Sequence, residues 1–391
     1  MIRVALVGVS GYGRCYLDAV RELEDLGHVK LVAACIVNHR EEAALWNKLS
    51  RQGVRCFEET GAMWCAMRGM IDLTLLPTPP HTHSQLALEA FSAGSHVLVE
   101  KPLAASVAEA REMVAGASGA SRRLFVGFQD LYSKNTWKLK RELLRGRFGE
   151  VSSVSFLGLW PRPASYYSRN AWAGKLKLGD QLVNDTPVSN AFAHFLNLCL
   201  FFAGPDEAAS AAGVEIEAEL LRANDIETFD TAALRIKTDT GIPVHFFCSH
   251  TCEKNVTPTI RIVSESARIH WKHEDGIFVE GGKHENFSDL SVGLDTRTEM
   301  LANITKVLGG KPADICTADI ALAPLAVSER LQEFRVLPVS RSRRQRIAMP
   351  EDSLVCVKAL ADALIECFET DALPSELSNR EIAPNFKTAL G

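Results

Sequence analysis

The sequence predicts an α/β chain of two domains: a doubly wound parallel sheet in residues 1–125, then an α+β domain in residues 126–391 with a large, mostly antiparallel, open-faced sheet. Three observations predict it. Up to about residue 125, apolar runs of strand length alternate with helix-period segments, which gives a parallel sheet with helices on both faces. After Gly149, short apolar runs succeed one another across turns such as Thr238, Asp239, Thr240, Gly241, the mark of antiparallel pairing. Within the first region, residues 71–104 read as strand, helix and strand, closing on Glu100, Lys101 and Pro102, where a parallel sheet ends and its ligand crevice begins.

The first strand, Arg3 to Val7, runs straight into Gly8, Val9, Ser10, Gly11, Tyr12, Gly13, and a helix from Gly13 to Leu26 follows. That placement is what a dinucleotide fingerprint of the Rossmann type requires. Gly8 allows the tight turn, Gly13 lets helix and strand approach, and the helix N–H groups attract a pyrophosphate. Ser10 stands where the pattern prefers a second glycine, with Gly11 beside it. The second strand, Lys30 to Val37, ends in Asn38, His39, Arg40, with no carboxylate before Glu41 to bind a ribose hydroxyl. A missing acid and a nearby arginine favour a 2′-phosphate, hence NADP over NAD, although Arg40 equally suits a helix-start surface. The run Ile71 to Leu76 stops at Pro77, Thr78, Pro79, Pro80; a helix from Ser84 to Ala93 leads to the strand His96 to Val99. Pro102 cannot continue a ladder, so the strand ends with the backbone of Lys101 held stiffly beneath its ammonium. A helix at Val107 to Ala117 and a strand at Leu124 to Gly127 complete the domain.

In the second domain, strands are expected at Val151 to Trp160, Val214 to Leu221, Thr231 to Lys237, Val244 to Thr251, Thr259 to Ser264, Ala267 to Lys272 and Ile277 to Glu280. Helices are expected at Leu139 to Leu144, Pro187 to Phe202, Thr296 to Leu308, Ile320 to Phe334 and Leu354 to Phe368. Thr186 and Pro187 form a helix start. Beyond them Asn190, His194 and Asn197 share one face, a polar stripe that meets either water or a pocket. Trp160, Arg162, Tyr166, Tyr167, Arg169, Asn170, Trp172 and Lys175 precede that helix. Aromatic faces suit a sugar ring and arginines suit carboxylate or vicinal hydroxyls, while a loop packed on its own domain or at a subunit interface has the same composition. His245, Cys248, His250 and Cys252 invite a zinc reading, but alternate strand positions lie roughly 6 to 7 Å apart, too far for tetrahedral ligands, so no metal is expected.

A net charge of −5, from 43 basic and 48 acidic residues, offers no general attraction for nucleic acid, and Arg341, Arg343, Arg344 and Arg346 read as a solvated loop. Ten cysteines without a framework suggest reduced thiols in a cytoplasm. The apolar stretch Ala191 to Ala203 is too short to span a bilayer, and no membrane partner is expected.

The glycine loop, the segment Pro77, Thr78, Pro79, His81, His83, the triplet Glu100, Lys101, Pro102, the phrase Val126, Gly127, Phe128, Gln129, and Gly146 to Val151 resemble the glucose-fructose oxidoreductase, inositol dehydrogenase and MocA family over nearly the whole chain. The resemblance implies a Rossmann domain and an open-faced sheet domain, paired through the sheet into homodimers or homotetramers. It implies NAD(P)-dependent hydride transfer at a carbinol or carbonyl of a small molecule such as a sugar, polyol or cyclitol. It places Lys101 on the reacting oxygen and His194, by its distance from Gly204, as catalytic histidine. Gly8, Ser10, Gly11, Tyr12, Gly13, Asn38, Arg40, Pro77, Thr78, Pro79, His81, His83, Glu100, Lys101 and Gln129 are the expected cofactor residues. Trp160, Arg162, Tyr166, Tyr167, Arg169 and Trp172 are the expected substrate residues. One position departs from the family: Asn190 stands where an aspartate is common, and an amide orients a partner but exchanges no proton. Asp185 is the expected auxiliary carboxylate. Two other functions remain open: a cofactor-binding sensor or structural protein without turnover, which Asn190 favours, and a glycoside hydrolase using transient redox on tightly held NAD.

Overall fold

The computed structural model describes residues 1–281 and 296–377. The chain forms two compact units, Met1–Trp137 with Val292–Leu322, and Lys138–Ser291 with Ala323–Gly391. The first unit runs to residue 137, and a late segment of the chain belongs to it as well.

The first unit runs β1 (Ile2–Val7), α1 (Gly13–Asp25), β2 (Val29–Cys35), α2 (Ala43–Arg51), β3 (Arg55–Phe57), α3 (Thr60–Met67), β4 (Leu73–Leu76), α4 (Pro80–Ser92), β5 (His96–Val99), α5 (Val107–Gly119) and β6 (Leu124–Val126). The strands form one parallel sheet in the order β3-β2-β1-β4-β5-β6. Strand order reverses between β2-β1 and β4, so the loops after β1 and β4 open on the switch point where such sheets bind ligands. Strands β4 and β5 read as unbroken apolar runs because both faces are covered, and Leu73, Leu75, Leu76, Val97, Leu98 and Val99 are fully buried. Helix α4 starts at Pro80, earlier than periodicity suggested, because proline suits a first helical turn.

Next come α6 (Lys134–Leu144), β7 (Val151–Leu159), α7 (Ala164–Ser168), β8 (Lys177–Leu178), β9 (Gln181–Leu182), α8 (Ala193–Phe202), β10 (Gly213–Arg222), β11 (Thr231–Thr238), β12 (Val244–Ser249), β13 (Val256–Ser264), β14 (Arg268–Lys272) and β15 (Gly276–Glu280). After them lie α9 (Thr296–Leu308), α10 (Ala318–Arg330), β16 (Val336–Pro338), β17 (Arg344–Met349), β18 (Asp352–Val357) and α11 (Leu360–Thr370). The large sheet is ordered β15-β14-β13-β7-β12-β11-β10-β16. It is mostly antiparallel, with parallel pairs β7/β12 and β10/β16.

Strand alternation sorts this sheet's two faces. Phe156 and Phe246, register partners, stack at 4.4 Å and meet Phe192 and Phe195 at the start of α8. Their neighbours Leu157, Leu159 and Phe247 point the other way, into a core with Leu360, Leu364, Cys367 and Phe368 of α11. The face expected to be open is therefore covered over β7 and β12 by α11. Residues 354–357, expected as the first turn of that helix, instead pair with β17 as β18, since Leu354 and Cys356 alternate inward with a period of two.

Helix α8 is closed by a lysine. Lys140, fully buried on α6, donates from Nζ to the carbonyl oxygens of Phe201 and Gly204, each at 2.6 Å, and lies 5.1 Å over the Phe201 ring. Burial pulls its pKa down to about 8, while the two carbonyls at the C-terminal end of the helix hold the ammonium; that of Phe201 also accepts from the Gly204 N–H at 3.1 Å. Lys140→Met should lower stability by about 2 kcal/mol through two lost charge-assisted bonds. Chemical denaturation checks this, and an unchanged midpoint would show that the ammonium does not secure α8.

Candidate functional site

In the first unit, backbone shape builds the nucleotide cradle. Gly8 has φ +86° and its N–H donates to the Cys35 carbonyl at 3.0 Å, which turns the chain sharply out of β1. A Cβ on Gly13 would lie 2.2 Å from the Gly8 carbonyl oxygen, so only glycine lets α1 begin against that turn. The Pro77 to Pro79 segment flanks the cradle, with Thr78 Cγ2 3.7 Å from a Cβ built on Gly8 and Pro77 Cγ 3.6 Å from one on Gly13. Bare backbone at the head of α1 fits a pyrophosphate.

The ribose corner differs from expectation. Ser10 Oγ donates to Glu42 Oε1 at 2.9 Å, and Asn38 Nδ2 donates to Ser10 Oγ at 2.9 Å and to Glu41 Oε2 at 3.3 Å. Arg14 donates to both oxygens of Glu42 at 2.9 Å, and with the Ser10 bond holds its pKa below the usual carboxylate range. Two carboxylates thus stand where the strand end alone showed none, folded back by the turn before α2. Arg40 is exposed.

Lys101 sits on a buried platform. Glu100, only 6% exposed, accepts from Tyr16 Oη at 2.5 Å and from the Lys101 backbone N–H at 3.0 Å. Burial raises its pKa, and the Lys101 charge opposes that rise. A Cβ on Gly127 would reach within 2.8 Å of the Glu100 carboxylate, so that residue too must be glycine. The Lys101–Pro102 peptide is cis. His83, expected along the cofactor, is fully buried instead: Nδ1 lies 3.1 Å from the Pro102 carbonyl oxygen and Nε2 2.8 Å from that of Thr78. It is a strut between the two loops, and burial pulls its pKa down to about 4. His81 is half-buried, and burial lowers its pKa.

Tyr12 Oη lies 3.5 Å from Gln129 Oε1 and accepts from Arg297 Nε at 3.0 Å, with the guanidinium 5.2 Å over the Tyr12 ring. Sequence reading missed Arg297, which arrives from α9, and Tyr16, whose four-residue spacing from Tyr12 was the available signal.

In the second unit, residues 187–192 are turns and α8 begins at Ala193, not Pro187. Thr186 and Ser189 bond reciprocally, Ser189 N–H to Thr186 Oγ1 at 3.0 Å and Thr186 N–H to Ser189 Oγ at 2.9 Å, which holds the turn apart from the helix. The expected polar stripe dissolves: Asn190 lies in the turn, His194 is the second residue of α8, and Asn197 is fully buried. Asp185 is no helix-start residue. At 7% exposure it accepts from Asn190 Nδ2 at 2.7 Å, the Gly174 N–H at 2.7 Å and Arg169 at 3.2 Å, joining the preceding loop to the turn before His194.

That loop gathers most of the expected substrate residues. Trp160 stacks on Phe192 at 5.0 Å, and the Tyr166 ring takes the Arg169 guanidinium at 3.8 Å and that of Arg162 at 5.0 Å. Trp172 lies 5.2 Å from the Arg169 guanidinium, while the Tyr167 hydroxyl is turned inward and buried. His250, which the sequence offered only as a metal ligand, stacks on Phe192 at 5.2 Å and bonds the Trp160 carbonyl at 2.9 Å; burial pulls its pKa to about 3, with Arg162 and Arg169 adding to the effect. His245 lies 3.6 Å from Asp371, and among the described residues no group of three His, Cys, Asp or Glu is placed to hold a metal.

Residues 2–128 match the model of the oxidoreductase family with an NAD-binding Rossmann fold. That family is the one of glucose-fructose oxidoreductase, inositol dehydrogenase and MocA, and the match covers the first unit's Rossmann sheet. The chain is 27% identical over 154 residues to glucose-6-phosphate 3-dehydrogenase of Bacillus subtilis, covering 39% of this chain and 41% of that protein. It is 22% identical over 223 residues to myo-inositol 2-dehydrogenase of Thermotoga maritima, covering 56% and 57%. The chain thus spans about half the length of these curated relatives. The WlbA dehydrogenase of Bordetella pertussis, solved with NADH and UDP-GlcNAcA, shares the fold at a TM-score of 0.72 and 24% identity, over 85% of this chain and 95% of that one.

The family's glycine loop yields a direct test. Gly13→Ala should weaken NADH binding by at least about tenfold, because α1 must leave the Gly8 turn to house the new methyl. Fluorescence titration of NADH measures it, and an unchanged affinity would remove the loop as the pyrophosphate cradle.

Proposed function

We propose that the protein is a nicotinamide-dependent oxidoreductase acting on a carbinol or carbonyl of a sugar, polyol, cyclitol or related small molecule. The observation that carries this reading is the Lys101 platform: an ammonium at the carboxyl end of β5, its backbone fixed by buried Glu100, which is bonded in turn to Tyr16 of α1, the helix that the glycine turn opens. The first-unit residues Gly8, Ser10, Gly11, Tyr12 and Gly13 would hold the dinucleotide, with Asn38 at the ribose and Gln129 near Tyr12. When bound, the nicotinamide supplies the hydride acceptor or donor. Lys101 polarises the substrate oxygen and shares its proton. His194 acts as acid or base, and Asn190 positions, its own rotamer fixed by Asp185 at 2.7 Å. That carboxylate answers part of the departure at Asn190, since charge is restored one residue further out.

The preferred cofactor in this proposal is NAD. The expected preference for NADP finds no support: Glu41 brings a carboxylate to the ribose corner, and Glu42 occupies the Arg14 guanidinium that could otherwise meet a 2′-phosphate. Self-association into a dimer or tetramer would use sheet surface outside β7 and β12, which α11 already covers. All ten cysteines are free thiols, which suits the proposed cytoplasmic location, and no described helix is long and apolar enough to cross a membrane.

Lys101→Met should lower turnover by at least about a hundredfold in a screen of sugars, inositols and sugar acids, read at the nicotinamide absorbance, while NADH affinity is kept. A fully active variant ends the assignment; release of aglycone without net cofactor change indicates hydrolysis by transient redox, and binding without either indicates a sensor. Titration with both reduced cofactors should show NADH binding at least about tenfold more tightly than NADPH. The reverse order would overturn the role given to Glu41 and Glu42.

A further inference from the structure

The two arginines of the loop before α8 have different electrostatic fates. Arg169 is neutralised by buried Asp185 at 3.2 Å and also donates to the Tyr166 carbonyl at 2.6 Å. Arg162, half-buried, has no carboxylate partner among the described residues, and its Nε is buried without an acceptor. Its guanidinium is nonetheless held in place, 5.5 Å over the Trp160 ring and 5.0 Å over that of Tyr166. Aromatic faces satisfy none of a guanidinium's N–H donors, so those of the two terminal nitrogens stay available to an oxyanion.

The surroundings do not supply that anion. Neighbouring His250 is held neutral by burial and by the two guanidinium charges, and a neutral imidazole leaves the charge of Arg162 uncompensated. Arg162 also stands close to the proposed reaction residues: Trp160 stacks on Phe192, which precedes His194 by two positions, and Tyr166 contacts Arg169, which reaches Asn190 through Asp185. A half-buried guanidinium held against two rings, with no carboxylate partner among the described residues and close to candidate reaction residues, is placed to receive a ligand's oxyanion.

We propose that Arg162 binds an oxyanion of the substrate, so that the substrate is an anionic sugar derivative bearing a carboxylate or a phosphate. This rests on the oxidoreductase reading for the reaction it serves, but its test is one of binding and does not need turnover. Isothermal titration of the NADH-loaded protein with glucose, glucuronate and glucose 6-phosphate separates the sources of the oxyanion. At least one anionic sugar should bind tenfold or more tightly than glucose, glucuronate if the fork reads a carboxylate and glucose 6-phosphate if it reads a phosphate. In Arg162→Gln the ratio should fall to near unity, and Arg162→Lys should keep part of it. Equal binding of charged and neutral sugars, a preference that survives Arg162→Gln, or no binding of any of the three would overturn the proposal. Arg162-dependent anion binding without turnover would leave this site standing and remove the oxidoreductase reading. Turnover of neutral sugars with no anion preference would do the opposite.

Discussion

A carboxyl group taken out of water must find donors, and in the first unit Glu100 imposes that requirement on everything around it. Left alone, its burial would cost on the order of several kcal/mol. It is satisfied by the hydroxyl of Tyr16 from α1 and by the N–H of Lys101. Gly127 must lack a side chain for the carboxyl to fit. One buried acid therefore ties the fingerprint helix, the end of β5 and the start of the segment after β6 to one another. His83 braces the far side of the same turn. The ammonium of Lys101 rests on a backbone held from two directions, which is the preorganisation that polarising an oxygen needs.

Asp185 plays the corresponding part in the second unit. Its two oxygens collect a guanidinium, a backbone N–H and an amide, so a long loop and a short turn share one buried centre. The two acids differ in what offsets their burial. Asp185 is bonded to a guanidinium, whereas the hydrogen bonds to Glu100 come from a hydroxyl and a backbone N–H; burial pushes the Glu100 pKa upward and the Lys101 charge opposes the rise.

Legibility in the sequence followed the physical range of each signal. The parallel sheet could be read because buried strands such as β4 and β5 are unbroken apolar runs, and the glycine loop because its conformation restricts residue type locally. The head of α8 misled: Pro187 resembles a first helical residue, but the Thr186–Ser189 hydroxyl pair closes a separate turn, a competition between side chain and backbone that periodicity does not report. Residues 354–357 misled for another reason, since four residues of alternating burial are too few to separate from the edge of a helical stripe. His83 had been assigned by position along the chain, and only its two carbonyl neighbours reveal a strut. Glu42 and Arg297 were invisible in their roles, because one is brought in by a turn after the strand end and the other from nearly three hundred residues away.

That distant origin has its own consequence. Helix α9 packs on α1, its Thr298 hydroxyl donates to Glu22 at 2.8 Å, and Arg297 covers Tyr12. The nucleotide-binding half is thus discontinuous in the chain. On the ribosome, its first 137 residues emerge long before the piece that completes them, and the intervening sheet unit must be made in the meantime. Until α9 arrives, the outer surface of α1 stays wet and the glycine turn lacks its arginine, so competence to hold a dinucleotide is acquired late in synthesis rather than as soon as the fingerprint has been translated.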